Sequence, residues 1–315
     1  MPFKDSTATL RGDLQEVVQE YGSGLLTELM GAEIIGPVSV PLKSSQFAKI
    51  SAEETEKKTN SVKRAPTSKY SRLERKVTSD TYTCEERGQE EPIDDAENMD
   101  LSRYFDCEAD SANNATRVVL TEQEKDIRTL LWNTGLFTST YQQAVTGGAW
   151  SAPTTAKVAK DVLTAITKLK KNLGGIPGGV ELRLAMNETV FNNVANTDDI
   201  LDRVKYVGVT RQAITKAAIA QALGVDKVVT SSFAEGGTDI WSTSYALLYL
   251  FSNSRMFKSS PRLGNIFTWE QMQGAGQYVV ETCRDETISS NVVRAKQWAD
   301  EKILNVRCGI LITGV

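Results

Sequence analysis

Histidine is absent from all 315 residues of the chain. Histidine is the side chain most used for proton transfer near neutral pH, and it is the commonest protein ligand of zinc. Its absence excludes serine-histidine and cysteine-histidine catalysis and zinc sites of the HExxH type. Catalysis by carboxylates, by lysine or by a carboxylate-bound metal survives this test, so an enzyme is less expected but not ruled out.

Cysteine is scarce, and long apolar runs are missing. The four cysteines are too few for a disulfide scaffold of this length and form no CxxC pair, which favours a reducing cytoplasm. They are Cys84, Cys107, Cys283 and Cys308. No window approaches the roughly 20 apolar residues that span a bilayer. The sequence therefore predicts neither a signal peptide nor a membrane helix.

An overall positive charge is lacking as well. The net charge is -4 and the pI is about 5.3, which argues against wrapping DNA by broad neutralisation of its phosphates. With 40% hydrophobic residues, the chain can still bury one large core or two modest ones. We interpret it as a soluble globular chain that does not grip nucleic acid.

The charges that are present are segregated into two neighbouring runs. Residues 57–76 carry eight basic residues against Glu74 alone, and residues 83–100 carry eight acidic residues against Arg87 alone. The basic run contains Lys57, Lys58, Lys63, Arg64, Lys69, Arg72, Arg75 and Lys76. The acidic run contains Glu85, Glu86, Glu90, Glu91, Asp94, Asp95, Glu97 and Asp100.

Two stretches invite a binding-site interpretation, and neither completes a motif. "GGIPGGV" (174–180) lacks the Lys-Ser/Thr of a phosphate loop and precedes a strand, so it predicts a helix-to-strand connection. The acidic run could ligate magnesium or calcium through oxygen, but it lacks the DxDxDG spacing with a closing glutamate. Solvated acids around a helix N-terminus are the better interpretation. We therefore expect no cofactor site and no metal site.

The first half of the chain predicts projecting elements. Apolar spacing within 9–30 favours one amphipathic helix in an N-terminal arm, and the prolines of 34–54 favour an edge strand. Residues 51–80 have almost no apolar residues to build a core, which predicts a long projecting hairpin or loop that a neighbouring molecule orders. A returning strand over 81–88 is expected to end at "EEPIDD" (90–95).

The second half predicts a packed helix and two kinds of sheet. Residues 111–135 favour a long helix that stops at Gly135, and strands alternate with helices over 153–255 as in an α/β module. Residues 277–315 alternate as two long strands and end on an apolar strand. We expect the long helix to pack on this C-terminal sheet.

At this point the order of the parts resembles a known family. "RAPTSKYSRLERKVTSDTYTCEERGQEEPIDDAENMD" (64–100) is similar to the projecting loop and its exit in the major capsid proteins of tailed bacteriophages. The similarity continues, in order and at similar spacing, in "FNNVANTDDILDRVKYVG" (191–208), "ALGVDKVVTSSF" (222–233) and "DIWSTSYALLYLF" (239–251). It extends over most of residues 34–315.

The resemblance implies an α+β chain with the Hong Kong 97-like capsid fold. Such a chain has an N-terminal arm, an extended loop, a peripheral domain with a long spine helix and an α/β axial domain. The implied boundaries are an arm at 1–35, an extended loop with flanking strands at 36–90, a peripheral domain at 91–148, an axial domain at 149–258, and a return to the peripheral sheet at 259–315.

The resemblance also implies a function: a capsid protein that self-assembles into hexamers and pentamers of an icosahedral head around double-stranded DNA. No catalysis, cofactor or membrane is implied. The expected partners are further copies of the chain, a separate scaffolding protein and a portal; binding of a decoration protein stays open. DNA is enclosed without sequence-specific binding, in a virion assembled in the host bacterial cytoplasm.

Family members lay the extended loop over the peripheral domain of an adjacent subunit. We therefore predict that the eight basic residues of 57–76 in one copy approach the acidic run of the next copy. The acidic side of this predicted interface consists of Glu85, Glu86, Glu90, Glu91, Asp94 and Asp95.

Two alternatives stay open. One is an encapsulin-like shell of a cellular nanocompartment with the same fold, which would hold a cargo enzyme in place of DNA. The other is a carboxylate- or metal-dependent cytosolic enzyme built on the α/β module at 153–255. A monomer or dimer in light scattering, with an acidic pocket, would favour the enzyme.

Overall fold

The computed structural model shows two larger β-sheets and two two-stranded ladders. The structure describes residues 9–10, 14–18, 29–50, 66, 69, 77–176, 178–205, 215–252, 262–273 and 278–315. None of the helices in these ranges combines the length and the apolar character that a membrane span requires.

The strands and helices of the described residues are numbered in chain order. The strands are β1 (Thr9–Leu10), β2 (Pro37–Val40), β3 (Ser44–Ile50), β4 (Val77–Thr83), β5 (Glu85–Asp94), β6 (Gln142–Ala144), β7 (Glu181–Asn187), β8 (Lys227–Ser231), β9 (Ala234–Glu235), β10 (Thr238–Asp239), β11 (Tyr245–Phe251), β12 (Gly264–Trp269), β13 (Val279–Asp285), β14 (Ser290–Ile303) and β15 (Gly309–Thr313). The helices are α1 (Gly31–Ile34), α2 (Asp95–Leu101), α3 (Cys107–Leu131), α4 (Val158–Leu173), α5 (Glu188–Ala195), α6 (Asp198–Lys205), α7 (Lys216–Leu223) and α8 (Glu270–Gln273). Residues 14–18 are also helical.

The six-stranded sheet is organised around the long strand β14. Strands β13 and β12 pair with successive parts of β14, and β5 pairs antiparallel with its stretch from Ser290 to Ala299. Lys296 lies opposite Val279 of β13 and also opposite Gly88 of β5. A strand has only two pairing edges, so β5 lies on the opposite side of β14 from β13. Among the described strands β5 pairs with β14 alone and is an edge of the sheet.

Strand β5 is longer than the sequence predicted. The expected break at "EEPIDD" (90–95) is wrong, because the strand continues through Pro92, opposite Val292, as far as Asp94. Proline cannot donate a ladder hydrogen bond, but an edge strand tolerates it because only one of its edges is paired.

Helix α3 packs on the six-stranded sheet, which confirms the predicted partnership of the long helix with the C-terminal strands. Ala115 and Val119 bury against Ala295 of β14. The helix begins before the predicted position 111, because the Asp106 side chain accepts hydrogen bonds from the first backbone N–H groups. It ends at Leu131, so Gly135 does not cap it.

The five-stranded sheet has the order β6-β15-β11-β7-β8. Strands β7 and β8 are parallel, whereas β11 is antiparallel to both of its neighbours. The helices α4 and α7 end at Gly174 and Gly224, both in the left-handed conformation that favours glycine. The alternation of strand and helix predicted for 153–255 is confirmed, with mixed strand directions in the sheet.

The last strand lies in a different sheet from the one expected. The sequence assigned 259–315 to the sheet of β13 and β14, but β15 pairs with β11 and β6 in the five-stranded sheet. Its residues Ile310, Leu311 and Ile312 are all fully buried. A strand that is apolar on both faces must be covered by other elements, and helix α4 packs against β15 in this sheet.

Strands β3 and β4 form the base of the predicted hairpin. They pair antiparallel from Ser44 opposite Thr83 to Ile50 opposite Val77. The base packs on the six-stranded sheet through Tyr82, whose ring stacks 4.6 Å from that of Phe267. Apart from Pro66 and Lys69, the segment 51–76 that joins the two strands lies outside the described residues.

The predicted N-terminal helix is only partly within the described residues. Thr9 and Leu10 are extended and pair with β13, so the helix does not begin at residue 9. Leu14 and Val18 are buried on the helical stretch 14–18. The arm is therefore attached to the six-stranded sheet by strand pairing, and the hydroxyl of Tyr278, next to β13, donates a hydrogen bond to the Val18 carbonyl oxygen at 3.0 Å.

Candidate subunit interface

The basic half of the predicted interface lies almost wholly outside the described residues. Lys69 is described and exposed. The other seven basic residues, Lys57, Lys58, Lys63, Arg64, Arg72, Arg75 and Lys76, are not described. Their contact with a neighbouring copy stays a prediction.

The acidic half lies along the outer strand β5 and the start of α2. The Arg87 side chain pairs with Asp126 of helix α3, so it lies on the face of the sheet that α3 covers. Side chains alternate along a strand, so Glu91 lies on this same face, and Glu86 and Glu90 lie on the opposite face. Five of the six predicted acids are exposed and Glu91 is half-buried. The structure thus brings the acids together at one edge of the sheet.

Three of these acids already form contacts within the chain. Glu90 forms an ion pair with Arg294, which lies directly opposite it on β14. Both oxygens of Asp95 accept hydrogen bonds from Arg284, with Nη2 2.6 Å from Oδ2, and this pairing lowers the pKa of Asp95. Asp94 caps helix α2 by accepting a hydrogen bond from the Ala96 N–H at 2.9 Å.

The remaining three acids, Glu85, Glu86 and Glu91, form no ion pair with another described residue. Arg87, the basic residue inside the acidic run, does not neutralise them. Its guanidinium instead donates to both oxygens of Glu301, at 2.8 and 2.9 Å, and to Asp126 at 2.7 Å. The negative charge available to a partner along β5 is therefore concentrated on Glu85, Glu86 and Glu91.

Glu124 of helix α3 is a buried carboxylate that the sequence analysis missed. Its Oε1 accepts hydrogen bonds from the backbone N–H groups of Met30 and Gly31, at 2.8 and 2.9 Å, and from the indole Nε1 of Trp241, at 2.7 Å. Burial raises the pKa of Glu124 to about 7, although the hydrogen bonds oppose the shift. One side chain thus joins the arm, the long helix and the loop before β11.

Helix α1 of the arm is also fastened by charge. Glu33 forms ion pairs with Arg183 of β7, at 3.4 Å, and with Lys227 of β8. The Arg183 guanidinium lies 3.6 Å from the ring centroid of Phe251, within the range of a cation–π contact. Together with Glu124, these contacts attach the arm to the five-stranded sheet and to α3.

The described residues also bear on the metal question. Within them, no group of three or more aspartate, glutamate or cysteine side chains is arranged to hold a metal ion. The glycine-rich stretch 174–180 joins α4 to β7, as the sequence predicted for a helix-to-strand connection.

Comparison with known proteins gives structural matches only. No protein-family model and no curated protein matches this sequence. A phage-related protein from Bordetella bronchiseptica RB50 superposes with a TM-score of 0.73 and 17% identity, covering 98% of each chain.

Two further solved structures share the fold. The capsid of the cyanophage P-SCSP1u gives a TM-score of 0.57 at 11% identity, covering 89% of this chain and 86% of that one. A virus-like particle from Pyrococcus furiosus gives a TM-score of 0.55 at 11% identity, covering 95% and 97%. With its mixture of helix and sheet, the chain has the Hong Kong 97-like fold of phage capsid proteins, as the sequence predicted.

Proposed function

We propose that the chain is the structural subunit of a phage-type head. Copies would assemble into hexamers and pentamers of an icosahedral shell that encloses double-stranded DNA, and the chain would catalyse no reaction. The observation that carries the proposal is the match over 89% of the chain to a cyanophage capsid structure, together with the match over 98% of the chain to a phage-related protein. The absence of histidine agrees with a structural role.

We assign the two sheets to the two domains of this fold. The six-stranded sheet and helix α3 would form the peripheral domain, with α3 as the spine helix. The five-stranded sheet would form the axial domain, centred on 149–258 and completed by β6 and β15. The strands β3 and β4 would be the base of the extended loop.

The proposed contact between subunits joins the basic run of one copy to the edge strand β5 of the next. Glu85, Glu86 and Glu91 are the acids that supply it, because the other three are paired or serve as a cap. Each exposed ion pair contributes only ~0 to 1 kcal/mol, so these charges would set register and rate more than affinity. Apolar burial between copies must supply the affinity.

Other partners follow from the proposed role. A separate scaffolding protein and a portal would take part in assembly in the host cytoplasm, before the subunit is found in the virion. DNA would be enclosed without sequence-specific binding. A net charge of -4 suits such a container, because a strongly phosphate-binding wall would hinder packing of the genome.

Electron microscopy and light scattering of the purified chain test the proposal. Closed shells, formed by the chain alone or with a scaffolding protein, are the expected result. Monomers or dimers at high concentration under both conditions would overturn it.

A nanocompartment shell is the second candidate, because a virus-like particle from Pyrococcus furiosus shares the fold. The contents of purified shells distinguish the two. Packaged nucleic acid supports the phage head, whereas a co-purifying cargo protein inside nucleic-acid-free shells supports the nanocompartment.

A further inference from the structure

Helix α2 and the turn that follows it carry three large apolar side chains on the surface. Met99 is 78% exposed, Tyr104 is 83% exposed and Phe105 is 46% exposed. The helix itself has no buried residue. Single exposed apolar residues are normal on a protein surface, but three within seven positions form a cluster that favours an interaction site.

The segment is held in place by polar contacts at its ends. Asp94 caps the N-terminus of α2, Asp95 pairs with Arg284 of β13, and the Asp106 side chain begins helix α3. The backbone N–H groups of Tyr104 and Phe105 both donate to the carbonyl oxygen of Leu101, which folds the turn back toward the end of α2. The apolar side chains are therefore presented by an ordered support.

The surroundings of the cluster are strongly acidic. Residues 94–110 contain seven acidic residues against Arg103 alone. Three of the acids, Glu97, Asp100 and Asp110, form no ion pair with another described residue. The segment 57–76 of the chain has the complementary composition, with eight basic residues, one acid and the apolar side chains of Tyr70 and Leu73.

We propose that Met99, Tyr104 and Phe105 are the apolar centre of the subunit interface, and that they bind the segment 57–76 of a second copy. This inference rests on the proposed function and deepens it, because it names the apolar side chains that supply the affinity which the charges of β5 do not. The acids around the cluster orient the approach of the basic segment. Burial of the Met99, Tyr104 and Phe105 side chains supplies the affinity. The site is continuous with the proposed contact, since α2 begins where β5 ends.

Photo-crosslinking identifies the occupant. Shells are assembled from equal amounts of unlabelled and nitrogen-15 protein, both carrying Tyr104→p-benzoylphenylalanine, and the crosslinked peptides are identified by mass spectrometry. We expect peptides from 57–76, with unlabelled and labelled partners joined in the same product. Crosslinks to another segment, crosslinks confined to one chain, or no crosslink at all would overturn the inference.

A substitution series measures the contribution to assembly. The variant M99S/Y104S/F105S should lower the yield of shells by about tenfold or more. The control is Leu163→Ser, which removes from helix α4 an apolar side chain whose exposure of 61% lies within the range of the other three. The unassembled triple variant should melt within a few degrees of the wild type, because the three side chains are exposed.

The outcomes separate this inference from the proposed function. If the wild-type chain forms shells and the triple variant forms them with equal yield, the inferred apolar centre is wrong and the shell function stands. The same conclusion follows if Leu163→Ser lowers the yield of shells as much as the triple variant does. If the wild-type chain forms no shells under any condition, the proposed function fails, and this inference fails with it.

Discussion

The Glu124 carboxylate is surrounded by N–H donors and has no basic side chain among its described hydrogen-bond partners. Three of its four hydrogen bonds end on Oε1, while the Gly31 N–H also reaches Oε2 at 3.1 Å. A glutamine at this position keeps the oxygen that accepts three of the bonds and removes the charge. Comparing Glu124 with a glutamine variant therefore separates the free-energy cost of burying a charge from the stabilisation that the hydrogen bonds supply.

Stability should depend on pH through Glu124. Burial raises the pKa of the folded carboxyl from its ordinary value of 4.5 to about 7, so protonation favours the folded state. This contribution is fully present below pH 4.5 and is lost as the pH rises through about 7, on the order of 3 kcal/mol in total. Between pH 5 and 8, the unfolding free energy of the wild-type subunit should fall relative to that of Glu124→Gln, as measured by denaturant titration. Parallel pH profiles would contradict this.

Gly31 lies where a larger side chain would not fit. A Cβ at this position would lie 2.5 Å from Glu124 Oε2 and 2.9 Å from two methyl carbons of Ile127. Gly31→Ala should therefore lower the unfolding free energy by about 1–3 kcal/mol, because the buried neighbours must move. Gly178→Ala is the matched control, since a Cβ there meets nothing within 4 Å. Equal thermal stability of the two variants would show that the contact around Gly31 relaxes freely.

At the scale of elements, β5 and the start of α2 carry two kinds of acid that the sequence does not separate. Glu90 of β5 pairs with Arg294 of β14, and Asp95 of α2 pairs with Arg284 of β13. Glu85, Glu86 and Glu91 form no ion pair with another described residue, and we propose that they face a neighbouring copy. Charge substitutions along one strand should therefore have two different consequences. Those at paired positions change the subunit, and those at available positions change the assembly.

Charge reversal tests this division. Changing Lys69, Arg72, Arg75 and Lys76 to glutamate should slow assembly severalfold while leaving the subunit folded, because the described base of the loop is anchored by other residues. Reversal of Glu85, Glu86 and Glu91 to lysine in the same chain should restore part of the rate. Light scattering measures the rate, and raised salt should lower it in the wild type.

Reversal of Glu90, Asp94 and Asp95 is the matched control for the rescue. This reversal places lysines beside Arg284 and Arg294 and removes the helix cap of α2. It should therefore lower the melting temperature and leave the assembly rate of the reversed loop unrestored. A normal assembly rate for the reversed loop would show that the two runs do not face each other.

At the scale of the whole molecule, helix α3 connects the two sheets. Its early residues pack on β14, and Glu124 and Trp132 near its end contact the loop before β11, where the Trp132 and Trp241 rings meet edge to face at 4.6 Å. The arm is fastened at the same junction through Met30 and Gly31. The arm, helix α3 and the loop before β11 therefore meet at the Glu124 carboxylate.

Assembly should change the solvent protection of the loop. Residues 51–76 contain few apolar residues for a core of their own, so a neighbouring copy is expected to cover them. Hydrogen exchange of their amides should slow by about tenfold or more in shells compared with free subunits. The paired residues of β3 and β4 serve as an internal reference. Unchanged exchange in 57–76 would argue against cover by a neighbour.

The sequence alone determined the features that depend on neighbours along the chain. Glycines that follow amphipathic stretches marked the ends of α4 and α7, and alternation of strand and helix marked the α/β module. The scarcity of apolar residues in 51–80 marked a hairpin whose base is seen in β3 and β4. These patterns are local because helix and strand periods repeat within a few residues.

Tertiary structure decided the features that depend on residues far apart. Asp95 pairs with Arg284, which lies 189 positions away in the sequence, and Glu90 pairs with Arg294, which lies 204 positions away. Glu124 accepts hydrogen bonds from Met30 and Trp241, which lie 94 and 117 positions away. Strand β15 joins the five-stranded sheet because its residues need cover on both faces, which its own sequence cannot supply. A run of acids can be recognised from composition. Which of those acids form ion pairs within the chain depends on the positions of arginines that are distant in the sequence. Only folding brings those arginines close to the acids.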